Sequence, residues 1–211
     1  IWLFRGNHRF DLMAHPMKLI WFMWTMLPVL LTGCHRGPGV KIPAYDPQQA
    51  AQQAVETMDS NSDQLLSRDE LAASPGLLSN LASIDQDADQ QLSAAEIEQR
   101  VARYTDMGVG AMSVQCLVYW SGQPLVGAEI SFVPETFMTD TVKLGKGRTR
   151  NDGSAALVTE DRVPGLSPGL YRVVISKMQS GQETIPARYN TATELGYEVT
   201  LDSTNARFDL E

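Results

Sequence analysis

Acidic and hydroxyl side chains recur at fixed intervals in two twelve-residue stretches, residues 59–70 and 85–96. The first carries Asp59, Asp63 and Glu70 at positions one, five and twelve, with Asn61 at three and Ser67 at nine. The second carries Asp85, Asp87, Asp89 and Glu96 at positions one, three, five and twelve, with Ser93 at nine. Oxygens spaced in this way gather around one point, and a hard divalent cation such as Ca2+ takes about six to eight of them. A plainer use of Asp and Ser is to cap helices and support turns. Capping, however, does not ask for oxygen-bearing side chains at three alternating positions followed by Glu at the twelfth.

Helices are needed to hold such loops, and the flanking sequence supplies them. Ala50, Ala51, Ala54, Val55 and Met58 recur at helical spacing, as do Leu77, Leu78, Leu81 and Ile84, and then Ile97, Val101 and Tyr104. In this setting both stretches resemble EF-hand loops. The resemblance implies one ligand set of Asp59, Asn61, Asp63, the backbone carbonyl of Leu65, Ser67 through water and Glu70 as the bidentate ligand. It implies a second set of Asp85, Asp87, Asp89, the carbonyl of Gln91, Ser93 through water and Glu96. Leu66 and Leu92, at the eighth positions, are expected to join the loops through a short β contact over a shared core.

The pattern departs from the family at position six, where Gln64 and Gln90 replace the usual glycine. A side chain held at positive φ costs about 1–2 kcal/mol, which weakens binding about five- to thirtyfold. The expected affinity then falls near the roughly 10⁻⁴ to 10⁻³ M of extracellular modules, with calcium-dependent ordering of residues 47–104. The loops start 26 residues apart with Ser74-Pro75-Gly76 between them, so the intervening helices must be short. A dockerin-like pair is the alternative, disfavoured by the helical stretch before Asp59.

After Thr105-Asp106-Met107-Gly108-Val109-Gly110 the apolar period changes from helical to two. Strands are expected at residues 112–120, 128–133, 154–159, 170–177, 197–201 and 206–210, with a tight turn at Asn151-Asp152-Gly153. The stretches at residues 122–134 (Gly-Gln-Pro-Leu-Val-Gly-Ala-Glu-Ile-Ser-Phe-Val-Pro), 149–155 and 168–173 resemble the carboxypeptidase regulatory-like, transthyretin-type sandwich. That resemblance implies a spacer or adhesion unit and carries no peptidase chemistry. Lys143, Lys146, Arg148 and Arg150 are expected in a solvated loop or hairpin, with contact to an acidic polysaccharide or partner protein as the alternative.

At the other end, Met17-Lys18, the apolar run from Leu19 to Leu31, and Leu31-Thr32-Gly33-Cys34 are expected to form an export signal that opens at Met17. The last four residues resemble the lipobox of bacterial lipoproteins. This implies lipid attachment to Cys34 and cleavage before it, while His35 in place of Asp leans towards the outer membrane. The other possibility is an uncleaved signal anchor, although the run is shorter than the roughly 20 residues of a comfortable span. Cys116 would then be the remaining thiol, expected to point into a core.

Charge and composition exclude other classes. The net charge is −8, and residues 41–106 hold 12 acidic against 4 basic side chains, which argues against nucleic acid as a partner. Gly165-Leu166-Ser167-Pro168-Gly169 matches a nucleophile-elbow pattern, but Pro168 lacks the N–H that follows the nucleophile there. The three histidines, His8, His15 and His35, all precede the expected folded regions, leaving Ser167 and Cys116 without a base.

The expected fold class is therefore α+β and multidomain. Residues 1–33 form a leader and signal, 34–46 a lipid-anchored spacer, 47–106 a small α-helical EF-hand pair, and 111–211 an all-β Ig/transthyretin-like sandwich. The expected function is calcium binding by a non-catalytic protein of the cell envelope, attached to the membrane through its lipid, with an envelope protein or polysaccharide as partner. The alternative is a carbohydrate- or protein-binding adhesin or accessory module in which calcium is only structural.

Overall fold

The computed structural model describes residues 40–211; the export signal and Cys34 lie outside them. The helical half runs α1 (Pro47–Met58), β1 (Leu65–Leu66), α2 (Arg68–Leu71), α3 (Pro75–Ile84), β2 (Leu92–Ser93) and α4 (Ala94–Met107). Asp46 caps α1 by accepting the Gln49 N–H at 3.0 Å, and Pro47 at the first position needs no partner for a missing N–H. Gly108 at φ 60° ends α4. The buried stripes are Ala50, Ala51, Ala54 and Met58 on α1, Leu77, Leu81 and Ile84 on α3, and Ile97, Val101 and Tyr104 on α4.

The remainder is β-rich: β3 (Gln115–Trp120), β4 (Gln123–Pro124), β5 (Glu129–Pro134), β6 (Gly145–Arg148), β7 (Ser154–Ala156), β8 (Val158–Thr159), β9 (Gly169–Ser176), β10 (Met178–Gln179), β11 (Gln182–Glu183), β12 (Gly196–Val199) and β13 (Asn205–Leu210). One sheet has the order β12-β9-β5-β6-β8; the other has β13-β3-β4, with β7 also pairing β3. β13 runs parallel to β3, with Phe208 opposite Val118. Alternate residues face inward, as period two requires: Ile130 and Phe132 on β5, Tyr171, Val173 and Ile175 on β9, Ala206, Phe208 and Leu210 on β13. The Phe132 ring meets Tyr197 at 5.8 Å and Phe208 at 6.1 Å, both edge to face, a geometry worth about 0.5–1.5 kcal/mol beyond simple burial. Cys116 is fully buried, and burial pushes its thiol up to about 12, so it stays protonated and inert at neutral pH.

Five of the six expected strands are present as single strands, whereas the one expected at residues 154–159 is split between β7, which pairs β3, and β8, which pairs β6. The basic run is exposed, as expected of a solvated loop or hairpin, with Lys143 and Arg150 in loops. Lys146 and Arg148 belong to β6, which pairs with β5 and β8. Its inward positions are Gly145 and Gly147, so no apolar alternation marks it. Space is tight at both: a Cβ on Gly147 would sit 2.6 Å from the Ala156 backbone carbonyl, and one on Gly145 would displace the Leu166 side chain, whose Cδ2 lies 2.0 Å away. At the expected tight turn, Gly153 adopts φ 78° and Asp152 Oδ1 accepts the Ser154 N–H at 3.0 Å. Ser167 donates its hydroxyl to the Gly110 carbonyl at 2.7 Å.

Helices and sheets belong to one compact unit covering residues 38–211, and the change from helix to strand after Gly108 falls inside it. The start of α3 lies directly on β12: a Cβ on Gly196 would come within 1.8 Å of the Pro75 carbonyl. Two buried carboxylates join the layers. Glu135 Oε1 accepts the Gly76 N–H at 2.7 Å, while Oε2 meets Arg172 at 3.2 Å. Glu198 accepts from Arg100 Nε at 2.6 Å, from Arg100 Nη2 and from the Tyr104 hydroxyl.

Candidate metal centre

Each loop begins where a helix stops. Asp59 and Asp85 are the residues at which α1 and α3 end, their N–H groups donating to Val55 and Leu81 carbonyls at 2.9 Å. Each then folds the following turn with its own side chain. Asp59 Oδ1 accepts the Ser62 N–H at 2.7 Å and Oδ2 the Gln64 N–H at 2.9 Å. Asp85 repeats this with Ala88 at 2.7 Å and Gln90 at 2.9 Å. All four of these residues are left-handed: Ser62 at φ 63°, Gln64 at 69°, Ala88 at 61° and Gln90 at 68°. The strain expected at position six therefore has a counterpart at position four. The hydrogen bonds that these N–H groups donate to Asp59 and Asp85 hold all four residues there, offsetting a cost of about 1–2 kcal/mol at each.

Positions three and five continue the parallel. Asn61 Oδ1 accepts the Asp63 N–H at 2.9 Å, and Asp63 Oδ1 accepts that of Leu65 at 2.9 Å. In the second loop Asp87 accepts from Asp89 at 3.2 Å, and Asp89 from Gln91 at 2.8 Å. Leu65 opens β1 and Gln91 immediately precedes β2. The two short strands pair antiparallel with Leu66 opposite Leu92, both fully buried, which is the contact expected of the eighth positions.

The twelfth residues fold back over the loops. Glu70 Oε1 accepts from the N–H and hydroxyl of Ser60, each at 2.8 Å, and Oε2 from the N–H (2.9 Å) and hydroxyl (2.7 Å) of Ser67. Glu96 accepts from the N–H groups of Gln86 and Ser93 and from the Ser93 hydroxyl, all at 2.8 Å. Both pairs also serve as capping boxes for the helices that follow. Hydrogen bonds from Ser67 and then Ser60 hold the Glu70 carboxyl down at about 2. For Glu96, desolvation works upward but is outweighed by the donors on Gln86 and Ser93, so its value is lowered.

The loops differ in charge. Asn61 in the first is matched by Asp87 in the second, and Nδ2 of Asn61 donates to Asp63 at 2.8 Å, a bond that no carboxylate can make. Asp87 has the opposite problem. The Asp89 N–H lowers its value, but desolvation and the nearby charges of Asp89, Glu96 and Asp85 prevail and raise it. Oxygens of Asp85, Asp87 and Asp89 lie within 4.8 Å of one another. Two oxygens on opposite sides of one calcium, each at about 2.3–2.6 Å, are separated by up to about 5 Å, so the spacing of these three oxygens is compatible with part of the shell of such an ion.

Several residues around this centre escape the sequence pattern. Ser62 and Ala88 carry no signature of left-handed backbone. Arg100 and Tyr104 lie one and two helical turns beyond Glu96, and a charged residue at that spacing on α4 is the one available hint of the contact with Glu198. Against family models, curated proteins and solved structures alike, the chain gives no match.

Proposed function

We propose that the chain binds calcium through two EF-hand-type loops and acts without catalysis as a structural or interaction protein of the cell envelope. The observation that carries this reading is the duplicated loop scaffold. Two segments 26 residues apart repeat the same Asp-to-N–H bonds, left-handed residues and returning Glu, and in the second the three Asp oxygens converge within 4.8 Å. Like charges placed this closely repel one another, and a divalent cation relieves that repulsion. The second loop offers four carboxylates to the first loop's three, which favours tighter binding there.

Export and lipid attachment through Cys34 enter this proposal from the sequence alone, as does the carboxypeptidase regulatory-like character of the β half. Two facing sheets around Phe132, Tyr197 and Phe208 support its sandwich part. A second reading, a glycan or protein binder in which calcium is structural, draws on Lys146 and Arg148, both exposed on β6.

The test is calorimetric titration of residues 38–211 with calcium after chelation, followed by NMR. Two binding events with affinities of about 10⁻⁴ to 10⁻³ M, and shifts centred on residues 59–70 and 85–96, are expected. No heat and no shifts at millimolar calcium would remove the proposal. Capture of an acidic polysaccharide that survives chelation and is lost in Lys146→Ala/Arg148→Ala would favour the second reading.

A further inference from the structure

We infer that Glu198, on a strand about a hundred residues downstream, is a positioning residue for the second metal loop, holding the helices on either side of it in register. This rests on the calcium reading above. Closing an ion into the second loop brings together the end of α3, which supplies Asp85, and the start of α4, which supplies Glu96. The relative placement of those helices therefore decides how completely the twelfth ligand can close on the first, third and fifth.

Arg100 sits at that junction. It lies four residues beyond Glu96 and Tyr104 another four, so the three share one stripe of α4. Arg100 Nη2 donates to the hydroxyl of Ser83 in the last turn of α3 at 3.2 Å, and the same guanidinium donates twice to Glu198. The hydroxyl of the fully buried Tyr104 donates to the same carboxylate. One β12 carboxylate thus fixes α4 at two successive turns and, through Arg100, the last turn of α3.

The other end of α3 is anchored to the same layer. The Gly76 N–H bonds to Glu135, and Gly196 of β12 lies against the Pro75 carbonyl. With Glu198 4% exposed and the Arg100 side chain 13%, water offers little competition for these bonds. Among the described residues, the helices of the first loop, α1 and α2, have no ion pair to the sheets. Glu198 therefore acts directly on the helices of the second loop and reaches the first only through α1 packed on α4 and the Leu66–Leu92 strand pair. By linkage, if the clamp favours calcium, calcium favours the clamp to the same degree.

The experiment measures calcium affinity of the second loop by calorimetry in a Glu70→Gln background, which silences the first, for chains bearing the native Glu198, Glu198→Gln or Tyr104→Phe. Hydrogen exchange at Gly196–Val199 is followed with and without calcium. Glu198→Gln is expected to weaken the second loop by at least about fivefold, the lower range of site-to-site coupling, and Tyr104→Phe by less. First-loop affinity, measured in a Glu96→Gln background, falls by less than that of the second loop. Calcium slows exchange in β12 with Glu198 in place, and the slowing is lost in Glu198→Gln.

If Glu198→Gln fails to fold, Tyr104→Phe, which loses only a hydroxyl, carries the test with the same signs. Second-loop affinity within twofold of the parent in the folded variants, together with unchanged exchange in β12, would overturn the inference while leaving calcium binding intact. Absence of any calcium heat in the unsubstituted chain would overturn both.

Discussion

Replacing Gln64 by glycine isolates the cost of the loop's tightest bend. Gln64 stands at φ 69°, is exposed, and its side chain makes no hydrogen bond among the described residues, so the substitution removes a Cβ and little else. Its N–H, which donates to Asp59 Oδ2, is retained. Relief of the left-handed strain is worth about 1–2 kcal/mol, and the greater freedom of glycine in the unfolded chain takes back about 0.4–1 kcal/mol. A net gain of about 0.5–1 kcal/mol remains. To the extent that the loop holds this bend before calcium arrives, the gain raises Tm in chelator, by about 1–4 °C for a chain of this size. To the extent that calcium imposes the bend, it appears as binding about two- to fivefold tighter. Scanning calorimetry in chelator and calcium titration together account for the whole gain. Gln64→Ala keeps the Cβ and is expected to change neither by more than about 0.5 kcal/mol. Equal behaviour of the Gly and Ala variants in both assays would refute the assigned backbone strain.

Other substitutions separate the roles that overlap in the loops. Glu96→Gln keeps an oxygen for the Ser93 N–H and so should preserve the helicity of α4 by circular dichroism, while the second loop's calcium heat disappears; retention of that heat would count against Glu96 as a ligand. In chelator, Asp87 should take up a proton before Glu70, because, against the pull of the Asp89 N–H, desolvation and the charges of Asp89, Glu96 and Asp85 raise its value, whereas hydrogen bonds from Ser67 and Ser60 hold Glu70 near 2. In linkage terms the depressed Glu70 value contributes stability above the ordinary carboxylate range that is lost only as pH falls towards 2; carboxyl NMR titration gives the order, and protonation of Glu70 before Asp87 would contradict it. Leu66→Ala should cost about 2–5 kcal/mol in denaturant unfolding and weaken both calcium events, since Leu66 faces Leu92 across the strands that join the loops.

What could be read from the sequence was local. A twelve-residue loop writes its geometry into side chains two to four positions apart, so Asp59, Asp63 and Glu70, or Asp85, Asp89 and Glu96, are recognisable by spacing. Strands with apolar inward faces, such as β5 and β13, announce themselves by alternation. β6 does not, because Leu166 and the Ala156 carbonyl crowd its inner face and the inward positions are Gly145 and Gly147. The hairpin of β10 and β11 is exposed along its length and has no apolar face to reveal it.

The polar joint between helices and sheets was hidden for a different reason. A lone Glu in a strand ordinarily marks the solvent face, and Glu198 differs only because Arg100 and Tyr104, 98 and 94 residues away, arrive to satisfy it. Glu135 is likewise buried against Gly76 and Arg172, and burial raises its carboxyl even though the Gly76 N–H and Arg172 pull it down. Removing one partner of such a contact leaves a buried charge uncompensated, while replacing the entire contact with apolar packing can cost little. Two carboxylates in this position are therefore weak evidence for stability and better evidence for register. Glu198 fixes which turn of α4 lies on β12, and Glu135 ties the start of α3 to Arg172 of β9.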